Sequence, residues 1–370
     1  MPILILPQAC FLCTLNWVWS MQTRPIFMRI KGNTMSFKCF GRRLMRSVLL
    51  VGQALVLASA TSLAASDQDD ELFLTITAGS QNGTYYRFAQ EIAEMLPGVR
   101  FEIVTSEGSV QNLRRLIGYE GQAEQQFFQL ALVQADVLDQ LRSRAAGNGV
   151  LESIVDRIKV VMPLYGEEIH IYAERNRELN TIEDIITQDV IVNAGGEKSG
   201  TNLTARWLFE QLGYADATQD WTNFSTEAGL PAMGAGYDIL FDVSGAPSST
   251  GSSIQESQEL KLIPITEYGT LLDSQESPYR TAVLTPKQYP WLTRDVPTLA
   301  VSALLVTFDY DENNPYCDLI ERLTRAIADG LAARQDPTTN SHPKWREVDL
   351  VNAGNRRDVY KCAQRALNGR

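Results

Sequence analysis

One pattern occurs twice along this chain: a short apolar strand, a turn of small residues and a helix with an apolar stripe. In the first copy, apolar residues alternate from Leu72 to Ala78 and predict a strand. Residues 79–84 (GSQNGT) predict a tight turn, and residues 85–96 have apolar side chains at helical spacing. Such a turn directs free backbone N–H groups and the positive end of the helix dipole at whatever lies above it. The pattern predicts an anion site made without a charged side chain.

The second copy lies about a hundred residues later. Val190 to Val192 predict a short strand, residues 195–201 (GGEKSGT) a turn of small residues, and Leu203 to Leu212 a helix. Because each half of the chain contains one such turn, we expect two lobes that close on one anionic ligand.

Strands and helices alternate through the rest of the chain. Turn residues precede a helix at Ser109, which is a candidate N-cap, and again near Asp136. The polar stretch Gly121 to Gln126 is predicted to be an insertion. Two separate strands are predicted at 158–162 and 169–173, interrupted by the turn Gly166-Glu167-Glu168. Alternation of this kind indicates an α/β fold with parallel strands and crossover helices. Further strands are predicted at 100–104, 128–134, 237–243 and 260–265, and further helices at 226–233 and 315–333. The apolar run 299–308 could carry the chain back to the first lobe.

The first 65 residues differ in charge from the rest. They contain seven basic residues and no acid, and without those seven the formal charge of −11 becomes −18. Arg42-Arg43-Leu44-Met45-Arg46, the apolar stretch from Val48 to Ala60 and Ser62-Leu63-Ala64 predict a signal peptide, with an uncleaved membrane anchor as the alternative. Met35 is a plausible true start. The strongly acidic remainder argues against a nucleic-acid partner.

Cysteines follow the same division. Cys10, Cys13 and Cys39 lie in the first 65 residues, and the Cys10-x-x-Cys13 pair has no second half, so chance explains it better than a metal site. The exported part would keep only Cys317 and Cys362. Two cysteines in an oxidising compartment predict one disulfide, with two buried free thiols as the alternative.

Catalytic and metal-binding motifs are absent from the sequence. The two histidines, His170 and His342, are far apart, and His170 alternates inside a strand, which favours a structural role. There is no Gly-x-Ser-x-Gly motif, and Glu197 stands where a phosphate loop needs its second glycine. We therefore expect a binding protein, without enzymatic activity, cofactor or metal.

Several of these turns belong to a known pattern. The chain resembles the TAXI family, the extracytoplasmic solute receptors of TRAP transporters, from about Leu72 to Phe308. The combination of Gly83-Thr84-Tyr85-Tyr86 with Gln134-Ala135-Asp136 is quite specific. The other matching pieces are Thr77-Ala78-Gly79-Ser80, Thr105, residues 108–113 (GSVQNL), Leu132-Val133, Val137, Ser199-Gly200-Thr201, residues 241–247 (FDVSGAP), Tyr279-Arg280 and Thr298-Leu299-Ala300-Val301.

The resemblance implies a two-lobed periplasmic binding protein of the α/β class, type II-like, with hinge strands between the lobes. It implies a periplasmic receptor that captures a small anionic solute, a carboxylate or a glutamate-like amino acid, and delivers it to TRAP membrane subunits. The chain departs from the family in a longer Gly121 to Gln129 stretch and in its cysteine pair. The expected domains are residues 1–65 (extension and signal peptide), 66–168 (first lobe), 169–302 (second lobe) and 303–370 (return to the first lobe and C-terminal helices).

The ligand is expected at the turns of both lobes. Asp136 is expected to cap its helix, and Asp242 and Tyr279 are weaker candidates. Arg87, Arg114 and Arg206 could clamp a carboxylate by position, although each is better explained as a solvated helix charge. The predicted ligand-binding residues are Ser80, Thr84, Tyr85, Ser109, Asn112, Gln134, Ser199, Gly200 and Thr201.

Two other functions remain open from the sequence. An enzyme on the same fold would need a reactive group that the sequence does not offer. A periplasmic ligand sensor that works with a membrane signalling partner would share every feature above, and gene neighbours encoding a kinase would favour it.

Overall fold

The computed structural model describes residues 72–120, 126–274, 277–351, 353–355 and 357–368. All of them belong to one compact unit, Ala65–Arg370. The predictions on residues 1–65, namely the signal peptide, the anchor alternative, the Met35 start and the Cys10–Cys13 pair, lie outside the described residues. Most of the predicted insertion at Gly121 to Gln126 does as well.

The described residues alternate between strands and helices, with short 3-10 turns between them. The strands are β1 (Leu74–Thr77), β2 (Phe101–Val104), β3 (Leu130–Gln134), β4 (Ile158–Glu174), β5 (Val192–Asn193), β6 (Ile239–Ser244), β7 (Leu260–Leu262), β8 (Tyr279–Leu284) and β9 (Val296–Phe308). The helices are α1 (Thr84–Glu94), α2 (Ser109–Leu116), α3 (Ala135–Ala145), α4 (Gly149–Val155), α5 (Ile182–Thr187), α6 (Gly200–Gln211), α7 (Thr226–Gly229), α8 (Ser249–Ser253), α9 (Pro315–Gln335) and α10 (Lys361–Asn368).

The strands form one curled sheet in the order β2-β1-β3-β9-β4-β6-β5, with β7 beside β4 and β8 beside β9. In the first lobe β1 lies parallel to β2 and β3, and in the second lobe β5 lies parallel to β6. The predicted α/β class with parallel strands is confirmed. Strand β8 and helix α4 were missing from the sequence prediction.

Two long strands connect the lobes. β4 and β9 pair antiparallel from Ile158 opposite Phe308 to Glu168 opposite Ala300. The first part of this ladder belongs to the lobe that contains β3, and the second part to the lobe that contains β6. The predicted hinge strands between the lobes are therefore confirmed.

The prediction of two separate strands at 158–162 and 169–173 is wrong. β4 continues through the predicted turn, and the irregularity is taken up by register shifts between Val160 and Met162 and between Pro163 and Gly166. Proline lacks the N–H that a regular ladder needs, and a bulge lets the strand pass it without ending. Glu167 and Glu168 consequently lie inside a buried strand, at 3% and 5% exposure.

Apolar side chains cover both faces of the sheet. On one face of the first lobe α1 and α9 pack with Trp345 around Phe88 and Ile320. A second cluster runs from α2 and α3 in the first lobe to α6 in the second. A third, around Tyr172 and Trp291, covers the remaining face of the second lobe. Among the helices that the structure describes, none is both long and apolar enough to cross a membrane.

The predicted disulfide between Cys317 and Cys362 is present. It joins α9 to α10, and both cysteines are buried in the first-lobe core. It closes the chain over a separation of 45 residues, so its contribution comes mainly from restricting the unfolded chain.

Replacing both cysteines with alanine should lower the free energy of unfolding by about 4 kcal/mol, the loop-entropy value for a cross-link of this span. Urea unfolding of the variant, compared with the wild-type protein with and without a reductant, measures the effect. A variant as stable as the oxidised wild type would contradict this prediction, because it would show that the disulfide does not contribute to the free energy of unfolding.

Candidate functional site

A cavity of about 410 Å³ lies between the lobes. Its walls come from the turn before α1, the turn before α2, the end of β3, the middle of β4, the turn before α6 and the end of β6. The lining residues used below are Ser80, Gly83, Thr84, Tyr85, Glu107, Gly108, Gln134, Glu167, Ser199, Thr201, Asp242 and Ser248. Six of the nine predicted ligand residues are among them: Ser80, Thr84, Tyr85, Gln134, Ser199 and Thr201.

The N-termini of several helices lie at this cavity. The N-cap residues of α1, α2 and α6 are Gly83, Gly108 and Ser199, and all three line it. The first turns of these helices contain no acidic residue, and neither α1 nor α2 has a side-chain cap. Their free N–H groups and positive dipole ends are therefore available to an acceptor in the cavity.

The first predicted turn supplies hydroxyl groups. The Gly83 N–H donates to the Ser80 carbonyl at 2.9 Å, which closes the turn before α1. The Tyr85 hydroxyl donates to Glu167 across 2.6 Å, while the Thr84 hydroxyl reaches the Gly245 carbonyl of the second lobe at 3.5 Å. Thr84 and Tyr85 are thus placed by partners in β4 and after β6.

Ser109 does not cap α2, contrary to the prediction. Gly108 takes the N-cap position with φ +129°, a conformation that glycine adopts without strain. The Ser109 hydroxyl instead accepts the Gln134 backbone N–H at 3.0 Å, which ties the start of α2 to the end of β3. The Gln134 side chain is 2% exposed, and its Nε2 has no hydrogen-bond partner in the structure.

Asn112 lies behind the cavity wall. Its Oδ1 accepts from the Thr77 hydroxyl at 2.6 Å, and its Nδ2 donates to the Ala78 and Leu132 carbonyls. The side chain therefore joins α2 to the ends of β1 and β3. Ser109 and Asn112 do not line the cavity, and they position residues that do.

The second predicted turn contacts the first lobe at the start of α2 and the end of β3. Ser199 caps α6 by accepting the Asn202 N–H at 3.0 Å, and the Thr201 hydroxyl accepts the Val243 N–H at 3.1 Å. The lobes touch here, because the Gln111 N–H donates to the Lys198 carbonyl at 3.1 Å. A Cβ on Gly200 would lie 1.3 Å from Oε1 of Gln134 and 2.8 Å from the Ser109 hydroxyl, so the two lobes pack closely at this glycine.

Two buried carboxyl groups in the cavity were not predicted as site residues. Glu167 was interpreted as part of a turn, and Asp242 was only a weak candidate. Burial raises the pKa of Glu167 well above its usual range, and it also raises that of Asp242. The sequence contained a signal for these buried acids, because an acidic pair such as Glu167-Glu168 within an apolar run can lie in a buried strand as readily as in a turn.

Glu168, the next residue along β4, has a different environment. Its carboxylate forms a buried ion pair with Lys344 and accepts the Ala246 N–H at 2.8 Å. Lys344 also pairs with Glu347, so a segment of the first lobe holds β4 and the turn after β6 together. Glu168 therefore braces the hinge, whereas Glu167 faces the cavity.

Asp136 connects the lobes away from the cavity. It does not cap its helix as predicted, because Gln134 is the N-cap of α3, but it accepts the Val137 N–H in the first turn at 2.8 Å. Its other oxygen accepts from Thr204 in α6 at 2.6 Å and from Tyr279 in β8. Burial raises the pKa of Asp136 to about 6.

The three candidate arginines bind partners elsewhere. Arg87 pairs with Glu91 at 2.7 Å, Arg114 with Glu120 at 3.4 Å, and Arg206 donates to Asn202 at 3.0 Å. None of them lines the cavity. Within the described ranges, no group of three or more His, Cys, Asp or Glu side chains could hold a metal ion.

The chain is similar to one protein family and to several solved structures of binding proteins. The model of the NMT1-like family matches residues 76–357. Among solved structures, the periplasmic binding protein BugD has 13% identity and a TM-score of 0.43, covering 74% of this chain and 84% of its own. A binding protein of an ABC phosphonate transporter from Pseudomonas aeruginosa has 9% identity and a TM-score of 0.44, covering 75% and 78%. A periplasmic thiamin binding protein has 11% identity and a TM-score of 0.44, covering 70% and 82%.

Gly200→Ala should hold the lobes apart, because its methyl group would overlap the buried Gln134 side chain. Overpacking costs about 1–3 kcal/mol, so the Gln111 amide, which bonds across the lobes, should exchange its hydrogen roughly 5- to 150-fold faster. Hydrogen exchange followed by mass spectrometry reports this.

Gly149→Ala is the matched control, since nothing lies within 4 Å of a Cβ there. Equal exchange at Gln111 in both variants would mean that the Gly200 contact does not hold the lobes closed.

Proposed function

The chain belongs to the NMT1-like family, and we propose that it is the periplasmic receptor of a TAXI-type TRAP transporter. In this role it captures a small carboxylate or a glutamate-like amino acid and delivers it unchanged to the membrane subunits. One observation carries the proposal: the N-termini of α1, α2 and α6, which come from both lobes, meet at a single cavity. Such termini bind carboxylates through backbone N–H groups, without a basic side chain.

The size of the cavity supports a small solute. Its volume of about 410 Å³ is at the lower end of what ligand sites in proteins enclose. Hydroxyl groups of Ser80, in the turn before α1, and Thr84, at the start of α1, can donate to carboxylate oxygens.

The hinge supports capture and release. Among the described residues, only the β4–β9 ladder runs between the lobes as continuous strands, and bulges interrupt its register near Pro163. A small change in backbone angles at such a point separates two rigid bodies, which is how hinged binding proteins open. Direct contacts such as Gln111 with Lys198 would form on closure.

The predicted export and domain boundaries belong to the same proposal. Residues 1–65 would direct the chain to the periplasm, residues 66–168 and 303–370 would form the first lobe, and residues 169–302 the second. We propose that Ser80, Thr84, Tyr85, Gln134, Ser199 and Thr201 contact the solute, and that Ser109, Asn112 and Gly200 hold them in place.

A thermal-shift screen of small carboxylates and amino acids tests the receptor role. A ligand present at 100 times its Kd stabilises the folded form by about 2.7 kcal/mol. This should raise the Tm by about 3–8 °C for a protein of this size. Mass spectrometry of the ligand recovered afterwards should show an unchanged molecule.

A panel without any stabilising compound would contradict capture of a small acid. A stabilising compound that returns chemically altered would instead favour an enzyme on this fold.

A further inference from the structure

The charged residues that line the cavity all have the same sign. Among the described residues that line it, Glu107, Glu167 and Asp242 are acidic, and there is no lysine or arginine. Glu107 is at the rim, with half its side chain exposed and Lys198 at 3.9 Å. Glu167 and Asp242 are 3% and 6% exposed. A cavity for an acid with two carboxylates would not be expected to contain two buried acids and no basic side chain.

The partners of these two acids are neutral. The Tyr85 hydroxyl donates to Glu167 at 2.6 Å, and the Ser244 hydroxyl donates to Asp242 at 2.8 Å. In the part of the chain that the structure describes, neither carboxyl group forms a salt bridge, whereas adjacent Glu168 pairs with Lys344. Burying a carboxylate without a cation is costly. Asp242 has His170 nearby, whereas no basic group of the described residues acts on Glu167, so a cation that balances Glu167 is expected to come from outside the chain.

An independent observation points to an acceptor on the same solute. Nε2 of Gln134, buried in the cavity wall, donates to nothing in the structure. Most buried polar atoms have a partner, so this donor is available to an oxygen atom of the solute. The cavity thus has donors at Gln134 and the helix starts, and acceptors at Glu167 and Asp242.

We propose that the solute carries a protonated amine, held by Glu167 and Asp242, and a single carboxylate at the helix starts near Gln134. This inference rests on the proposed receptor function and narrows its solute to amino-acid zwitterions without a second acidic group. Glutamate-like dicarboxylates would place a second negative charge beside buried acids, so they should bind less tightly.

Binding should also release a proton. Burial raises the pKa of Glu167 and so favours its protonated form in the empty cavity, whereas a bound ammonium group favours its ionised form. The complex then holds fewer protons than the free protein, so affinity for the amine should increase with pH. The titratable and charged groups around Glu167 and its neighbours are Tyr85, Asp136, Tyr165, Glu168 and Asp242, with His170 near Asp242 and Lys344 paired to Glu168.

Matched ligand pairs test the amine directly. The full-length protein is titrated calorimetrically with each L-amino acid and with the 2-hydroxy acid of the same side chain, at two pH values. A hydrogen bond to a charged group is worth enough to give the amino acid a roughly 10- to 150-fold lower Kd. Only the amino acid should bind more tightly as the pH rises.

Glu167→Gln removes the charge and keeps an oxygen that can accept from Tyr85. It should reduce the preference for the amino acid at least tenfold while changing the Kd of the hydroxy acid less than threefold. Glu178→Gln, an exposed glutamate in the second lobe, is the matched control and should keep the wild-type preference. Unfolding temperatures establish that both variants fold. Asp242→Asn provides a second test of the amine site and should also reduce the preference for the amino acid.

The outcomes separate the two proposals. Hydroxy acids or dicarboxylates that bind as tightly as neutral amino acids would overturn the amine site and leave the receptor function standing. An unchanged preference in both Glu167→Gln and Asp242→Asn would also overturn it. No binding of any member of either series would overturn the receptor function itself.

Discussion

The pairing of β4 with β9 is the constraint on which the rest of this structure depends. It fixes the first lobe to the second through a single antiparallel ladder, from Ile158 opposite Phe308 to Glu168 opposite Ala300. A two-stranded ladder bends most easily where a β-bulge interrupts its hydrogen bonds. Because the register shifts occur close to the cavity, opening at that point would separate the turn before α1 from the turn before α6.

The charges on β4 show how one strand can serve both stability and binding. Glu168 has a buried lysine partner and holds the turn after β6, so its charge stabilises the closed arrangement. Glu167 faces the cavity with only a tyrosine hydroxyl. Burial without a cation makes the ionised form of that carboxyl group costly in the empty protein, which is why its pKa is raised. Ligand sites accept such costs because a bound solute removes them.

The sequence predicted the local features and missed those that depend on distant pairing. The turns at Gly79 to Thr84 and Gly195 to Thr201 were recognisable because periodicity and small residues define them locally. β4 was divided in two because Pro163, Gly166 and two acids are typical of a turn. Only the partner strand β9, more than a hundred residues later, keeps it continuous. Glu167 was overlooked as a site residue for the same reason. Ser109 was predicted to be the N-cap of α2, a position that Gly108 occupies.

A crystal structure of the protein grown with its solute tests the central claim most directly, namely that the two lobes hold one zwitterion between them. The account predicts electron density in the cavity, with the carboxylate at the starts of α1 and α6 and the amine within hydrogen-bonding distance of Glu167. A solute bound outside this cavity, or one whose carboxylate faces Glu167, would contradict it.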